Sequence, residues 1–233
     1  MNTKERNKRF LLLQINDALF PIGAYSHSYG LETYIQKNLV TNTEESWNYI
    51  RPRLLYGFCC NELLSARLAY QLAEEGKLGE ILKLEEELEV MRLPKETREA
   101  GRKLGSRFVK TVRQLGIPYE SYLFDLYCRE RAGRSMTHSI VYGVFCQAAG
   151  IPYEDAMEHY LYAQTSSMVT NCVKTIPLSQ SDGQILLYRS QALYEEILRK
   201  LETLTKEDLC LSAPGFDIRC MQHEGLYSRL YMS

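Results

Sequence analysis

Apolar residues recur every three or four positions along most of this 233-residue chain, and that spacing constrains its fold more than any other feature. It is the spacing of one face of an α-helix, whereas the alternating apolar runs and two-residue turns typical of β-hairpins are nearly absent. The pattern therefore predicts an all-α protein. A chain of this length can bury one sizeable core, and we expect a single domain, residues 1–233, built as a bundle of roughly 8–11 helices.

Capping residues indicate where one long helix begins. Thr41 and Glu44 have the spacing of a capping box, in which each side chain binds the backbone of the other residue. The apolar spacing then continues to Ala73, and Pro52 is expected to kink or split the helix because proline lacks an N–H group. Ser179 and Asp182 indicate the start of the last long helix, because Ser179 can cap it and Asp182 interacts favourably with the N-terminal end of the helix dipole.

Two segments, residues 139–150 and 160–173, contain no Lys, Arg, Asp or Glu. Helices without a charged face are usually enclosed by their neighbours. Polar side chains such as Thr165 and Asn171 would then need hydrogen-bond partners, either within the bundle or on a surface that another subunit covers. By contrast, Glu85-Glu86-Glu87 lies in a strongly charged helix, and we interpret it as a solvated face rather than a catalytic carboxylate pair.

Composition excludes several classes of partner and location. The formal net charge is −1, which predicts no general attraction to nucleic acid or to an anionic membrane. No apolar run has the length of a membrane span, and the apolar start is interrupted by Gln14, Asn16 and Asp17, unlike a secretion signal. We therefore expect a cytoplasmic protein whose seven cysteines are reduced, with Cys59 and Cys60 as small core residues.

The motifs of common enzyme classes are missing. The chain has no phosphate-binding G-x-x-x-x-G-K-[ST] loop and no G-x-S-x-G nucleophile motif. Its four histidines have no spacing typical of a metal site. We therefore assign no catalytic residue, no metal ligand and no directly bound cofactor.

The two ends of the chain contain more specific side chains than a helical bundle requires. The segment FPIGAYSHSYGLETYIQ, residues 20–36, is rich in Tyr, Ser and Gly. Such residues are typical both of a packed turn and of a binding surface, and residue types alone favour neither. We expect residues 1–9 to form a flexible tail and residues 212–233 a second tail, in which Arg229 is either a solvated cation or part of a site.

Three blocks of the sequence resemble a known family. LLLQINDALFPIGAYSHSYGLETYIQ, LYAQTSSMVTNCVKTIPLSQSDGQ and HEGLYSRLYMS occur in the order found in the urease accessory protein UreF family, and they are spread over roughly residues 10 to 233. The resemblance implies an all-α, non-enzymatic homodimer. It also implies a complex with UreD, called UreH in some organisms, and with the GTPase UreG. This complex delivers nickel to apo-urease, and the partners handle the nickel and the GTP.

The resemblance also implies roles for individual residues. Tyr25 and Arg229 match positions on the family's UreG-facing surface, Lys174 matches a lysine associated with control of GTP hydrolysis, and His27 lies beside Tyr25. The family's C-terminal tail docks on UreD. That role would fall here on Gln222, His223, Leu226, Tyr227, Leu230 and Tyr231.

A second hypothesis is an all-α enzyme with a buried small-molecule pocket. The tyrosines and the uncharged helices would line the pocket, and ionisable residues would converge on it. A structure distinguishes the two hypotheses by showing whether such a cavity exists.

Overall fold

The computed structural model describes residues 3–211 and 213–233, and of Tyr25 it describes the backbone alone. In the described part of the chain the regular structure is helical and includes no β-strand, which confirms the predicted all-α class. The α-helices in chain order are α1 Thr3–Ile15, α2 Leu31–Gln36, α3 Thr43–Pro52, α4 Leu64–Glu74, α5 Leu78–Met91, α6 Lys95–Gln114, α7 Leu123–Glu130, α8 His138–Ala148, α9 Tyr153–Thr175, α10 Gln180–Gln191, α11 Tyr194–Thr203 and α12 Pro214–His223.

Helix α1 begins at Thr3, so residues 3–9, which the sequence suggested as a flexible tail, are helical. Lys4 and Lys8 both pair with Glu120, at 2.7 and 2.8 Å. Their hydrogen bonds lower the pKa of the Glu120 carboxyl to about 2. These ion pairs attach the polar half of α1 to the loop that precedes α7.

The α3 helix starts one residue later than the predicted capping box. Asn42 is the N-cap, and its side chain accepts a hydrogen bond from the backbone N–H of Glu45 at 3.0 Å. Glu45 in turn accepts from the backbone N–H of Thr41 at 2.7 Å. The prediction of a Thr41–Glu44 box was therefore wrong in register, because Asn is at least as good an N-cap as Thr.

Pro52 marks a change of helix geometry rather than a break. Residues Arg53–Leu63 form a π-helical segment, and α4 continues directly from it to Glu74. The missing proline N–H leaves a carbonyl of the preceding turn without its usual partner, and wider turns are one way a helix accommodates this. The predicted extent of the helix to Ala73 is thus confirmed, but Pro52 is followed by a local widening rather than a split.

Helix α8 lies in the middle of the bundle, as its lack of charge predicted. Every residue of α8 except Gln147 is buried. Gly143 lets α8 approach α4 closely, since a Cβ atom at this position would lie 2.2 Å from the carbonyl oxygen of Ala66. The uncharged surface of α8 is therefore covered within this chain and does not need a second subunit to cover it.

The buried polar groups of α9 have partners. The hydroxyl of Thr165 donates to the carbonyl of Leu161 at 2.8 Å, and the side-chain amide of Asn171 donates to the carbonyl of His27 at 2.9 Å. The second bond joins α9 to residues 20–36. Two residues elsewhere on α9, Tyr162 and Thr170, are exposed.

The last long helix is interrupted. Ser179 is the N-cap of α10, as predicted, and it forms a capping box with Asp182. However, α10 ends at Gln191, and α11 starts only at Tyr194. The prediction of one uninterrupted helix was wrong, although Ile197 and Leu201 on α11 are buried.

The expectation that Glu85 lies on a solvated face was wrong, because its side chain is buried. Its carboxylate accepts hydrogen bonds from the hydroxyl of Tyr127 and, at 3.0 and 3.1 Å, from the backbone N–H of Thr137. Burial raises the pKa of this carboxyl above its ordinary value. Only Glu86 and Glu87 of the triplet remain partly exposed, and both pair with a cation.

The remaining expectations concern cysteines and membranes. Cys59 and Cys60 are buried, as predicted for small core residues. Among the helices of the described residues, none has the length and apolar character needed to cross a bilayer.

Candidate functional site

We call residues 20–36 the opening segment and residues 224–233 the tail segment. The opening segment makes two sharp turns, at Gly23 and Gly30, whose φ angles are +83° and +85°. Glycine is the residue that adopts these left-handed angles without strain. A Cβ atom at Gly30 would also lie 3.0 Å from the backbone nitrogen of Cys220, so this turn fits closely against α12. The glycines thus shape the opening segment as a surface on which α12 and the tail segment pack.

The end of the tail segment lies along residues 26–29, between these two turns. The backbone oxygen of Ser233 accepts hydrogen bonds from the N–H groups of Ser28 and Tyr29, at 2.6 and 3.0 Å, and from the Ser28 hydroxyl at 2.8 Å. The N–H of Met232 donates to the carbonyl of Ser26 at 2.8 Å. Main-chain bonds therefore join two segments that lie at opposite ends of the sequence.

Glu32 holds the middle of the tail segment. Its buried carboxylate accepts hydrogen bonds from the N–H groups of Leu230 and Tyr231, at 2.8 and 3.0 Å. One of its oxygens also lies 2.9 Å from Nε2 of His223. A single carboxylate thus binds two backbone donors of the tail segment and the last residue of α12.

Glu96 completes the cluster from α6. One of its oxygens lies 2.6 Å from Nδ1 of His223, and the other accepts from Nη1 of Arg229 at 2.7 Å. Arg229 keeps 40% of its side chain exposed, while His223 is fully buried. The cluster of Glu32, Glu96, His223 and Arg229, which we call the tail clasp, therefore fixes Arg229 at the surface.

The residues predicted to face a GTPase have different environments. Arg229 and Lys174 are exposed, whereas His27 is buried. The backbone of Tyr25 lies in the short turn Ala24–Ser26, but its side chain lies outside what the structure describes. The tail segment lies along the opening segment, so the two segments that carry Tyr25 and Arg229 are in contact.

His27 supports the tail segment from inside. Its Nδ1 lies 2.9 Å from the hydroxyl of Ser233, and its carbonyl accepts from Asn171. Burial, with smaller contributions from the charges of Lys103 and Arg107, lowers the pKa of its imidazole to about 4. This burial leaves its ring no open face toward a partner, so His27 positions other residues of the site.

Lys174 lies at the end of α9, on the rim of a surface depression of about 520 Å³. The opening segment contributes Phe20, Ile22 and Ala24 to the same depression. The next residue of the helix, Thr175, donates from its hydroxyl to the hydroxyl of Tyr231 at 3.4 Å. The tertiary structure therefore brings Lys174 next to both segments of the site.

The residues predicted to dock a UreD-like protein are divided between surface and interior. Tyr227 and Leu230 are highly exposed, at 106% and 80% of their reference areas. Gln222 is also exposed, and Leu226 and Tyr231 are half-buried. His223 is buried in the tail clasp, which makes it a structural support for this surface.

The sequence analysis missed Glu32 and Glu96, which hold the tail clasp together. A signal for Glu32 was present, since it is the one Asp, Glu, Lys or Arg residue between Asp17 and Lys37. Glu96 lies in a helix rich in charged residues, and nothing in its local sequence distinguishes it from Glu99. Its partners lie more than 120 positions away in the chain, beyond the range of any local pattern.

An internal cavity bears on the enzyme hypothesis. Ionisable side chains line it, among them Arg53, Glu62, Arg92 and His138, but its volume is about 30 Å³. That is room for about one water molecule, whereas ligand sites commonly enclose roughly 300–1,000 Å³. The convergence of ionisable groups is confirmed in this interior, but the cavity is too small for a metabolite.

A wider groove of about 890 Å³ lies between α9 and α11 and is open to solvent. Several of its ionisable groups are engaged with one another or with a tyrosine. Tyr153 donates to Glu202 at 2.5 Å, and Arg199 pairs with Glu195 at 2.5 Å. Among the described residues, no group of three or more His, Cys, Asp or Glu side chains is arranged to hold a metal ion.

Comparison with known proteins gives a consistent result. A family model described as UreF matches residues 40–191. The urease accessory protein UreF of Lachnoclostridium phytofermentans is 36% identical over 228 residues, which cover 95% of this chain and 97% of the relative.

Two further relatives bear the same description. The urease accessory protein UreF of Bacillus sp. (strain TB-90) is 36% identical over 233 residues, covering 97% of this chain and all of the relative. That of Geobacillus kaustophilus is 35% identical over 227 residues, covering 95% of this chain and 96% of the relative.

Proposed function

This chain belongs to the UreF family of urease accessory proteins, and we propose that it bridges a UreD/UreH-like protein and a UreG-like GTPase. In this proposal the chain regulates the GTP-dependent delivery of nickel to apo-urease and is itself not an enzyme. Nickel and GTP are handled by the partner complex, without a cofactor bound to this chain. The complex works in the cytoplasm, and the chain functions as a homodimer.

The observation that best supports this proposal is the docking of the tail segment on the opening segment. Each of the two segments carries residues that the family resemblance links to a partner. The N–H groups of Ser28 and Tyr29 donate to the backbone oxygen of Ser233, and together with the tail clasp they hold the segment that carries Arg229 against the segment that carries Tyr25. Two segments from opposite ends of the chain thus form one surface, which is the arrangement that a bridging protein requires.

We assign the two partners to adjacent parts of this surface. The exposed Tyr227 and Leu230 offer a large apolar area, and anchors of this type usually carry much of the binding energy at an interface. We therefore place the UreD/UreH-like protein there. The GTPase binds Tyr25, Arg229 and Lys174, around the depression that the opening segment lines.

A reconstitution experiment tests this function. The purified chain is mixed with a UreD/UreH-like protein and a UreG-like GTPase, and the mixture is analysed by size-exclusion chromatography with light scattering. We expect one complex that contains all three proteins and two copies of this chain. Failure of well-folded partners to form such a complex would overturn the proposal.

Variants then separate the two surfaces. Tyr25→Ala and Arg229→Ala should weaken GTPase binding at least tenfold, whereas Tyr227→Ala should weaken binding of the UreD/UreH-like protein instead. Tyr188→Ala is a matched control, since Tyr188 is 77% exposed on α10, outside the opening and tail segments. Equal affinities for all four variants would contradict the assignment of the surfaces.

A further inference from the structure

A row of cations on α6 takes no part in the tail clasp. Lys103, Arg107 and Lys110 follow one another at intervals of four and three residues, which places them on one face of the helix. All three side chains are exposed. We call these three residues the basic stripe.

The basic stripe is not neutralised within the chain. Other cations of α6 have acidic neighbours: Arg102 pairs with Glu89, and Lys95 lies 4.0 Å from Glu99. None of the three stripe residues has a carboxylate within ion-pair distance in residues 3–211 and 213–233. Because the whole chain has a formal net charge of −1, the stripe is a local excess of positive charge.

The basic stripe borders the opening segment. Nη1 of Arg107 donates to the carbonyl of Ile22 at 3.4 Å, and a Cβ atom at Gly23 would lie 2.2 Å from the same nitrogen. The charges of Lys103 and Arg107 also reach the buried His27 of that segment. The stripe is therefore continuous with the turn that carries Tyr25.

The stripe also extends the surface on which Arg229 lies. Arg229 is bound to Glu96, and Glu96 and Lys110 are separated by fourteen residues of α6, about 21 Å at the helical rise per residue. The four cations thus follow one side of α6 from the tail clasp past the opening segment. For a partner that contacts Tyr25 and Arg229, this row of charges lies at the edge of the interface.

We propose that the basic stripe is a docking surface for an acidic patch on the protein partner that binds the opening segment. This inference rests on the proposed function, in which that partner is the GTPase. Exposed charges at the rim of an interface mainly accelerate association and set its salt dependence, while apolar anchors determine dissociation. The stripe therefore steers the partner toward Tyr25 and Arg229.

The test uses the full chain with three cations changed, Lys103→Gln, Arg107→Gln and Lys110→Gln. A matched control changes three exposed cations elsewhere, Arg51→Gln, Lys83→Gln and Arg134→Gln. Association and dissociation of a UreG-like GTPase are measured by biolayer interferometry at low salt and at about 0.5 M salt. Circular dichroism checks that both variants are folded.

We expect the stripe variant to associate at least tenfold more slowly at low salt, with little change in dissociation, and to lose most of the salt dependence of the wild type. The control variant should keep the wild-type rates. Equal rates and salt slopes for the stripe variant and the wild type would overturn the stripe proposal alone. If the wild-type chain does not bind the GTPase at all, the proposed function itself is wrong, and the stripe proposal, which rests on it, is wrong as well.

The same variants show whether the basic stripe binds an anionic membrane or DNA rather than a protein partner. Binding to vesicles that contain phosphatidylserine and to a DNA duplex is measured in parallel. If the stripe variant loses binding to either of these while its association with the GTPase is unchanged, the stripe does not serve a protein partner and the proposal is wrong.

Discussion

Nε2 of His223 lies 2.9 Å from Oε2 of Glu32, although the two residues are 191 positions apart in the sequence. The opposite ring nitrogen of His223 lies 2.6 Å from Glu96. Both ring nitrogens of His223 therefore face a carboxyl group. One buried histidine thus joins the opening segment, α6 and the tail segment.

Loss of the Glu32 charge is expected to release the tail segment. In the Glu32→Gln variant, two backbone N–H groups and His223 lose their charged acceptor, so we predict a decrease in unfolding free energy of about 3 kcal/mol. Hydrogen exchange of the amides of Leu230 and Tyr231 should accelerate in the same variant. Glu99→Gln, a change on the surface of α6, serves as the control and should leave exchange in the tail unchanged. Slow exchange in Glu32→Gln would show that the main-chain bonds of Ser28 and Tyr29 hold the tail by themselves.

Substitution of glycine by alanine is expected to change stability in opposite directions at two positions. Gly143→Ala places a Cβ atom 2.2 Å from the carbonyl of Ala66, and we expect a loss of stability of about 1–3 kcal/mol because α8 and α4 must separate. Gly79→Ala on α5 meets no atom within 4 Å, and it should stabilise the protein by about 0.5–1 kcal/mol through helix propensity. Urea denaturation of both variants measures the difference. Equal stabilities would contradict the close packing of α8 against α4.

The environment of Glu85 predicts a pH-dependent effect. Tyr127→Phe removes one donor from a buried carboxylate and should cost about 1–3 kcal/mol. Burial already raises the pKa of Glu85, and the loss of this donor raises it further. The ionised form is then disfavoured in the folded protein, so the loss of stability should be larger at about pH 8 than at about pH 5. Tyr188→Phe, at an exposed position, should change stability at neither pH.

His27 predicts a loss of stability on acidification. Its pKa is lowered from 6.5 to about 4 in the folded protein, so between these values the unfolded chain binds a proton that the folded chain does not. The unfolding free energy should therefore fall as the pH decreases from 6.5 to about 4. His27→Asn removes this group, and its stability should depend less steeply on pH over the same range. Denaturant titrations at several pH values check this, and parallel pH profiles would contradict it.

Local sequence patterns predicted much of the architecture. Apolar spacing identified the helices, the lack of charge in residues 139–150 identified α8 as an enclosed helix, and Ser179 with Asp182 identified the start of α10. These predictions succeeded because helix periodicity and capping depend on residues within about one turn of each other. The predictions for Thr41 and for the last helix failed at boundaries, where neighbouring residues compete for the same role.

The family resemblance contributed information of another kind. It linked Tyr25 and Arg229 to one surface, although the two residues lie near opposite ends of the sequence. It did not indicate which residues hold these positions in place. Glu32, Glu96 and the buried His223 emerged only from the structure.

The sequence by itself thus determined the helical class, the start of α10 and the family. Only the tertiary structure decided that the tail segment lies on the opening segment, that His27 and Glu85 are buried, and that α6 carries a row of unpaired cations beside Tyr25. The physical reason is the range of the interactions. Helices arise from contacts between near neighbours, whereas burial and charge pairing depend on which distant segments meet when the chain folds.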